Sequence, residues 1–295
     1  MLLLWLNKLR ALYGAKGIQT TRLRIEKAGR LFDPPQQVAF YRTGADDLNW
    51  ERALPVRPNP KAIIIYLHGG AYVAGSPESH RHLIGKIAEE AACTVVAPDY
   101  RLAPEHPFPA GLEDVLTTVD RVRMRYPASM LFLAGDSAGA GLALATAQKL
   151  IGSDIPLAGL ILLSPWVDLE FKSKTYKKIN LKDPVLSKNW LLKSAEMYIG
   201  KDKADNPLIS PILADFTGFP PVFIQCGTHD LLFEENELLV ERMRNQGVEV
   251  KWHPYKGMPH VFQFFWPELK EAGRALRILG DWVKHRVAVF LEKGK

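Results

Sequence analysis

Gly135-Asp136-Ser137-Ala138-Gly139 is the stretch richest in chemical content. It follows an apolar run, Met130 to Ala134, and opens a stretch rich in Ala and Leu, Ala138 to Ile151. A serine between a strand and a helix, flanked by glycines, is the setting of a nucleophile elbow. The turn is sharp enough to strain the serine backbone, and the glycines keep side chains clear of the neighbouring strand and helix. The Ser137 hydroxyl then projects at one edge of a sheet. The helix N-terminus behind it offers free N–H groups and a positive dipole end. A Gly-x-Ser-x-Gly string arises by chance roughly once in ten chains of this length at ordinary glycine usage. Its position, more than the string, therefore carries the reading.

A serine nucleophile needs a base and an acid that orients it. On this kind of scaffold they follow in chain order serine, acid, histidine, each on a loop after a later strand. The chain has eight histidines. His80, His82 and His106 precede the elbow. His229 is placed to shape the loop that carries Asp230. His253 falls inside the last strand, and His285 on the last helix. His260, in Gly257-Met258-Pro259-His260, lies on the loop after the last strand and is the expected base. Two residues compete for the acid. Asp230, in Gly227-Thr228-His229-Asp230, is favoured over Asp168, in Ser164-Pro165-Trp166-Val167-Asp168, because its loop is short and lies one strand before the histidine loop.

His68-Gly69-Gly70-Ala71 ends the first parallel strand. Small residues there let backbone N–H groups approach a reacting carbonyl. Gly69, Gly70, Ala71 and Ala138 are the expected oxyanion hole, with Gly70, Ala71 and Ala138 as donors. A phosphate-binding loop is the rival reading, but no Lys-Ser/Thr follows and no Gly-x-Gly-x-x-Gly is present. His80-Arg81-His82 has no partner cluster in the sequence, so no metal site and no cofactor are expected.

The elements that must position these residues alternate. Strand-like runs at Ala62–Leu67, Thr94–Ala97, Met130–Ala134, Leu157–Leu163, Val222–Cys226 and Val248–Tyr255 are separated by amphipathic helical stretches. The helical stretches are Glu78–Ala92, Ala110–Tyr126, Ala138–Ile151 and Glu234–Gln246, the last closed by Gly247, and a long one runs from Trp266 to about Leu291. Strands apolar on both faces between helices imply a mostly parallel sheet covered on both sides, an α/β class. Gln37 to Arg42 alternates and fits an antiparallel edge strand. The segment from Asp168 to about Asp205 is too long for one crossover and reads as an inserted cap with a helical piece over Trp190–Tyr198.

Composition sets the outer limits. The chain has 295 residues, is 47% apolar and carries a formal charge of +6. It is long enough for one large core and shows no repeat or low-complexity tract. The basic excess is interleaved with acids; the densest stretch, Lys172 to Lys182, reads as a solvated face, so nucleic acid is not an expected partner. The two cysteines, Cys93 and Cys226, sit in apolar runs as core residues and point to a reducing, cytoplasmic compartment. Met1 to Leu6 is too short to span a bilayer. With Leu9, Leu12 and Tyr13 it suggests an amphipathic helix docked on the body, without stable membrane insertion.

Six motifs in order resemble the hormone-sensitive lipase-type carboxylesterases, a bacterial group of α/β-hydrolases. They are His68-Gly69-Gly70-Ala71, Asp99-Tyr100-Arg101-Leu102-Ala103-Pro104-Glu105, Gly135-Asp136-Ser137-Ala138-Gly139, Asp183-Pro184-Val185-Leu186-Ser187, Gly227-Thr228-His229-Asp230 and Gly257-Met258-Pro259-His260. The resemblance spans roughly Ala62 to the C-terminus. It implies an eight-stranded sheet with one antiparallel strand, and a single α/β-hydrolase domain over 1–295. It also implies a helical cap from about 1–30 and about 168–205, cofactor-free hydrolysis of a small ester, and often a homodimer joined along the last strand. Ala71 stands where the family usually has a third glycine. Its N–H remains, and its methyl trims room for bulky tertiary alcohols.

The expected chemistry is acyl transfer to Ser137, with His260 as base and then acid, and Asp230 orienting it. A lactonase shares that chemistry. An amidase or peptidase would need a charged specificity pocket that the sequence does not display, and a non-catalytic receptor of this ancestry would lack a triad member. Lys172, Lys174, Lys177, Lys178, Lys182, Lys188 and Lys193 make the cap polar, which suits soluble esters. The resemblance implies acyl chains of roughly four to eight carbons, with burial favouring each added methylene until the pocket is full.

Overall fold

In the computed structural model, residues 17–45, 48–173 and 183–293 are described. They form an eight-stranded sheet in the order β1-β2-β4-β3-β5-β6-β7-β8. The strands are β1 (Val38–Ala45), β2 (Leu48–Pro55), β3 (Ala62–Leu67), β4 (Thr94–Pro98), β5 (Met130–Asp136), β6 (Leu157–Leu163), β7 (Val222–Gly227) and β8 (Val250–Tyr255). The helices are α1 (Ile18–Gly29), α2 (Arg81–Ala91), α3 (Ala110–Arg125), α4 (Ala138–Leu150), α5 (Lys188–Ile199), α6 (Phe233–Asn245) and α7 (Lys270–Lys293).

The central strands are buried on both faces, and alternate residues feed two cores. Ile63, Ile65, Leu67, Leu133 and Leu162 pack with the apolar faces of α3 and α4. Ile64, Tyr66, Phe132, Ala134 and Ile161 point the other way, toward α2 and α7. This period-two division is why the runs look uniformly apolar in sequence. From β3 to β8 every pairing is parallel, so their C-terminal ends lie along one edge. The loops that carry Gly69, Ser137, Asp168, Asp230 and His260 all leave from that edge.

The edge strand expected from Gln37 to Arg42 is β1, paired antiparallel with β2. The strand that runs against the rest is β2, antiparallel also to β4. The alternation in the sequence did not reveal it, because Glu51 interrupts the apolar pattern. Glu51 is nevertheless buried, and its carboxylate takes a two-pronged ion pair from Arg81 at 2.7 and 2.6 Å. Tertiary pairing thus makes a strand where propensity argues for a loop. Helix α6 ends as expected. Val248 N–H donates to Met243 O at 3.0 Å and Gly247 N–H to Arg244 O at 3.0 Å, with Gly247 at φ 80°. That is a Schellman closure.

The expected helix over Trp190–Tyr198 is present as α5. Helix α1 was not singled out in the sequence, because polar Thr21 and Arg22 fall on the same face as Ile18, Ile25 and Ala28. Arg22 docks it: its guanidinium donates to Val73 O (2.8 Å), Ala103 O (2.9 Å) and both oxygens of Glu105 (2.9 and 2.6 Å). The helix suggested for the first dozen residues, with Leu6, Leu9, Leu12 and Tyr13, lies outside the described residues, as do Lys174, Lys177, Lys178 and Lys182. Among the described residues no helix is long and apolar enough to cross a membrane.

Candidate active site

Ser137 stands between β5 and α4 at φ 52° and ψ −121°, a conformation costly for a residue with a side chain. The surroundings over-determine it. Its N–H donates to Leu163 O at 2.9 Å, and its carbonyl accepts from Ala140, Gly141 and Trp166 N–H at 3.1, 3.2 and 3.0 Å. The flanking glycines are required by close approach. A Cβ on Gly135 would lie 2.5 Å from the Gly139 carbonyl carbon, and one on Gly139 would collide with the backbone oxygen of Leu67.

His260 and Asp230 meet as the spacing predicts. His260 Nδ1 lies 3.0 and 3.1 Å from the two Asp230 carboxylate oxygens. Both residues are buried. The two loops are hydrogen-bonded to each other: His229 N–H donates to Met258 O (3.0 Å), and Gly257 N–H to the Thr228 side-chain Oγ1 (2.8 Å). Val261, just after the base, has φ 43° and donates its N–H to Ser164 Oγ at 3.2 Å. Burial alone would lower the basicity of His260. The Asp230 charge and hydrogen bond outweigh it and hold the imidazole pKa above its ordinary value. Nε2 has no partner among the described residues, and the ring borders the same cavity as Ser137.

Asp168, the rival acid, does not reach His260. Its carboxylate accepts Ser173 N–H at 2.7 Å within its own loop. A third carboxylate is close instead. Asp183, from the Asp183–Ser187 motif, accepts Val185, Leu186 and Leu231 N–H at 2.7, 3.2 and 2.9 Å. Burial, then the nearby Asp230 charge, push its pKa up to about 6. Asp183, Asp230 and His260 lie close enough to hold a cation. Their lone pairs, however, are taken by N–H donors and His260 Nδ1 faces a carboxylate, so the cluster is a hydrogen-bond network. The sequence singled out Asp183 only as part of a motif, and nothing in its spacing revealed that it braces the Asp230 loop. Cys226 adds a thiol donor to Asp230 Oδ2 at 3.4 Å.

One expected oxyanion-hole member needs correction. Gly69 N–H already donates to Asp136 Oδ1 at 2.9 Å, so it is not available to a substrate. Among the described residues, no acceptor takes the N–H groups of Gly70, Ala71 or Ala138. Gly70 and Ala71 adopt φ 124° and 56° and line the same cavity as Ser137.

The cavity holds about 50 Å³. Its polar lining comes from Ser137, His260, His80 and Asp136, and the rest is largely apolar, with Ile25 and Ala28 from α1, Val185, Leu186, Trp190 and Leu191 from the Asp183–Ile199 segment, and Phe264 and Phe265 after the base. The two histidines of His80-Arg81-His82 part company. His80 borders the cavity and faces Asp136, while the His82 Nε2 sits 2.9 Å from Phe264 O.

Residues 64–264 match the model of the alpha/beta hydrolase fold. Over 261 residues the chain is 35% identical to an acetyl-hydrolase of Streptomyces hygroscopicus, covering 88% of this chain and 86% of that one. A crystal structure of an esterase from the bacterial hormone-sensitive lipase family superposes with a TM-score of 0.91 at 32% identity, covering 96% of each chain. A second, the esterase EstE5 soaked with p-nitrophenyl butyrate, gives 0.90 at 28% identity over 97% of this chain and 98% of that one. The chain therefore belongs to the α/β-hydrolase family, among the esterases of the bacterial hormone-sensitive lipase type. Its reaction class is carboxylic ester hydrolysis.

Proposed function

We propose that this enzyme hydrolyses soluble short- to medium-chain carboxylic esters through an acyl-enzyme on Ser137. The observation that carries the reading is the convergence of Ser137, the Asp230-anchored His260, Gly70 and Ala71 on one small cavity, with the N–H groups of Gly70, Ala71 and the adjoining Ala138 unclaimed among the described residues. Ser137 Oγ attacks the ester carbonyl carbon and passes its proton to His260 Nε2. The tetrahedral oxyanion is held by Gly70, Ala71 and Ala138 N–H, at the positive end of α4. Collapse expels the alcohol, which takes the proton from His260. Water then attacks the acyl-enzyme with His260 again as base, releasing the acid and restoring Ser137. Asp230 holds the imidazole in the tautomer with Nδ1–H and stabilises the imidazolium formed in each half-reaction.

Residues of α1 and of the Asp183–Ile199 segment roof the cavity, which supports a helical cap built from about 1–30 and about 168–205 on a single domain. A small, largely apolar pocket favours acyl chains of roughly four to eight carbons over longer ones; the butyryl ester soaked into EstE5 falls in that range. The free edge of β8, last in the strand order, supports a homodimer along that strand. Two free buried cysteines, with the Cys93 thiol pushed by burial up to about 12, support a reducing cytoplasmic setting.

A panel of p-nitrophenyl esters from acetate to palmitate tests the reading. The expected result is kcat/KM that peaks at short to medium chains and disappears in Ser137→Ala. Preference for emulsified long-chain triglyceride, with a rate jump at the micelle threshold, would contradict it.

A further inference from the structure

A second histidine–aspartate pair borders the cavity on the side of the oxyanion loop, and the mechanism above does not use it. His80 Nε2 lies 3.5 Å from Asp136 Oδ2, and both side chains are buried. The other ring nitrogen, Nδ1, faces Ser76 O at 3.2 Å and Ser79 Oγ at 3.0 Å. The Ser79 hydroxyl proton is itself directed at Ser76 O, 2.9 Å away. Both nitrogens of His80 therefore point at acceptors, the arrangement of an imidazolium. The other oxygen of Asp136, Oδ1, accepts the Tyr66 hydroxyl at 2.6 Å and the Gly69 N–H at 2.9 Å.

The charges around the pair agree with this reading. Burial would lower the His80 pKa, but the Asp136 charge and hydrogen bond, the Ser76 carbonyl and the charge of Glu26 on α1 together raise it. Asp136 shows the converse: burial would raise its carboxyl, and the His80 charge with the His80 and Tyr66 hydrogen bonds holds it below the usual carboxylate range. His68, 5.5 Å from His80 ring to ring, is kept neutral, its pKa lowered by burial to about 3. His82, one residue beyond Arg81, is lowered by burial to about 4. One cation thus stands beside one anion within the oxyanion-loop side of the cavity.

We propose that the buried His80–Asp136 ion pair is the brace of the oxyanion hole, which makes both residues positioning residues for the tetrahedral intermediate. Asp136 must stay ionised to hold the Gly69 N–H firmly. That bond fixes the peptide from which the Gly70 and Ala71 N–H groups are aimed. His80 keeps Asp136 ionised in a site where a lone carboxylate would take up a proton. The inference rests on the Ser137 reading, because a hole is defined only relative to the nucleophile.

The test compares His80→Phe, His80→Gln and Asp136→Asn in the full chain. The readouts are kcat and KM for p-nitrophenyl butyrate and Ki for a trifluoromethyl ketone that adds to the serine. The ketone adduct reports oxyanion binding, whereas KM mainly reports the apolar pocket. Loss of a whole oxyanion donor costs about 10²- to 10³-fold in kcat, so a misaimed loop is expected to cost roughly 10- to 100-fold. His80→Phe should lower kcat and raise the ketone Ki by that common factor, with KM within about threefold. His80→Gln, which can still donate to Asp136, should recover much of the loss. Asp136→Asn should behave like His80→Phe, and the double variant should be little worse than either single one, since both remove the same brace. If His80→Phe does not fold, Asp136→Asn decides. An unchanged ketone Ki in whichever of these two variants folds, or a loss confined to KM or melting temperature, overturns the proposal. Failure of the wild-type enzyme to hydrolyse the ester or bind the ketone overturns instead the Ser137 reading beneath it.

Discussion

Two aspartate-paired histidines, His260 and His80, line one cavity, and the difference between them lies in what each imidazole has left to offer. His260 gives Nδ1 to Asp230 at 3.0 Å, and its Nε2 has no partner among the described residues in the cavity that Ser137 also lines. His80 has both nitrogens engaged, with Asp136 on one side and Ser76 and Ser79 on the other. The first ring can accept a proton and return it. The second cannot, and serves as a fixed charge. Residue type and burial are the same in both, so the chemistry is decided by a single free lone pair.

Breaking the first pair should have the largest effects. Ser137→Ala and His260→Ala should each lower kcat on the order of 10⁴-fold or more with melting nearly unchanged, as steady-state kinetics and thermal unfolding would check. Asp230→Asn should come close behind, because Asn can donate its amide to Nδ1 and favour the wrong tautomer. Asp168→Asn should stay near wild type, since its carboxylate serves only its own loop. An inactive Asp168→Asn beside an active Asp230→Asn would reverse the acid assignment.

The comparison can be sharpened through pH. Asp183 adds negative charge near His260 and so raises the base's pKa. Only neutral His260 can take the serine proton, and kcat/KM falls as pH drops through that pKa. Asp183→Asn removes the charge, so the acid limb of the kcat/KM profile should move to lower pH while the plateau is largely kept. A limb that stays in place would show that Asp183 acts only through its hydrogen bonds.

The smallest effect is expected at the oxyanion loop itself. Ala71 has φ 56°, where a side chain costs roughly 1–2 kcal/mol. Ala71→Gly should change turnover of primary-alcohol esters by less than about threefold and raise it for tert-butyl esters. Comparing butyl and tert-butyl acetate hydrolysis checks this directly.

The parallel strands and the catalytic loops were legible in the sequence because their signals are local: continuous apolar runs, elbow glycines, and a loop after each strand. Ser137, Asp230 and His260 were picked out as candidates from the elbow motif, the chain order and the loop after each strand, and the fold brings their loops to one sheet edge. What escaped depended on contacts distant in sequence. Strand β2 hides Glu51 behind an ion pair with Arg81, 30 residues on. The Gly69 N–H looked available until Asp136, 67 residues away, was seen to accept it. Nothing near His80 in the chain marks it as charged, because its partner lies in the elbow motif. Asp183 stabilises a loop 48 residues later. Buried polar pairing is the part of this fold that periodicity does not encode.

Labelling with a p-nitrophenyl organophosphate, followed by peptide mapping and activity assay on the same samples, tests the central claim most directly. The enzyme should take up one phosphoryl group per chain on the peptide that contains Ser137, with activity lost in proportion and p-nitrophenol released in equal amount. His260→Ala should label far more slowly. Full activity with Ser137 blocked, or complete inactivation with Ser137 unmodified, would contradict the account.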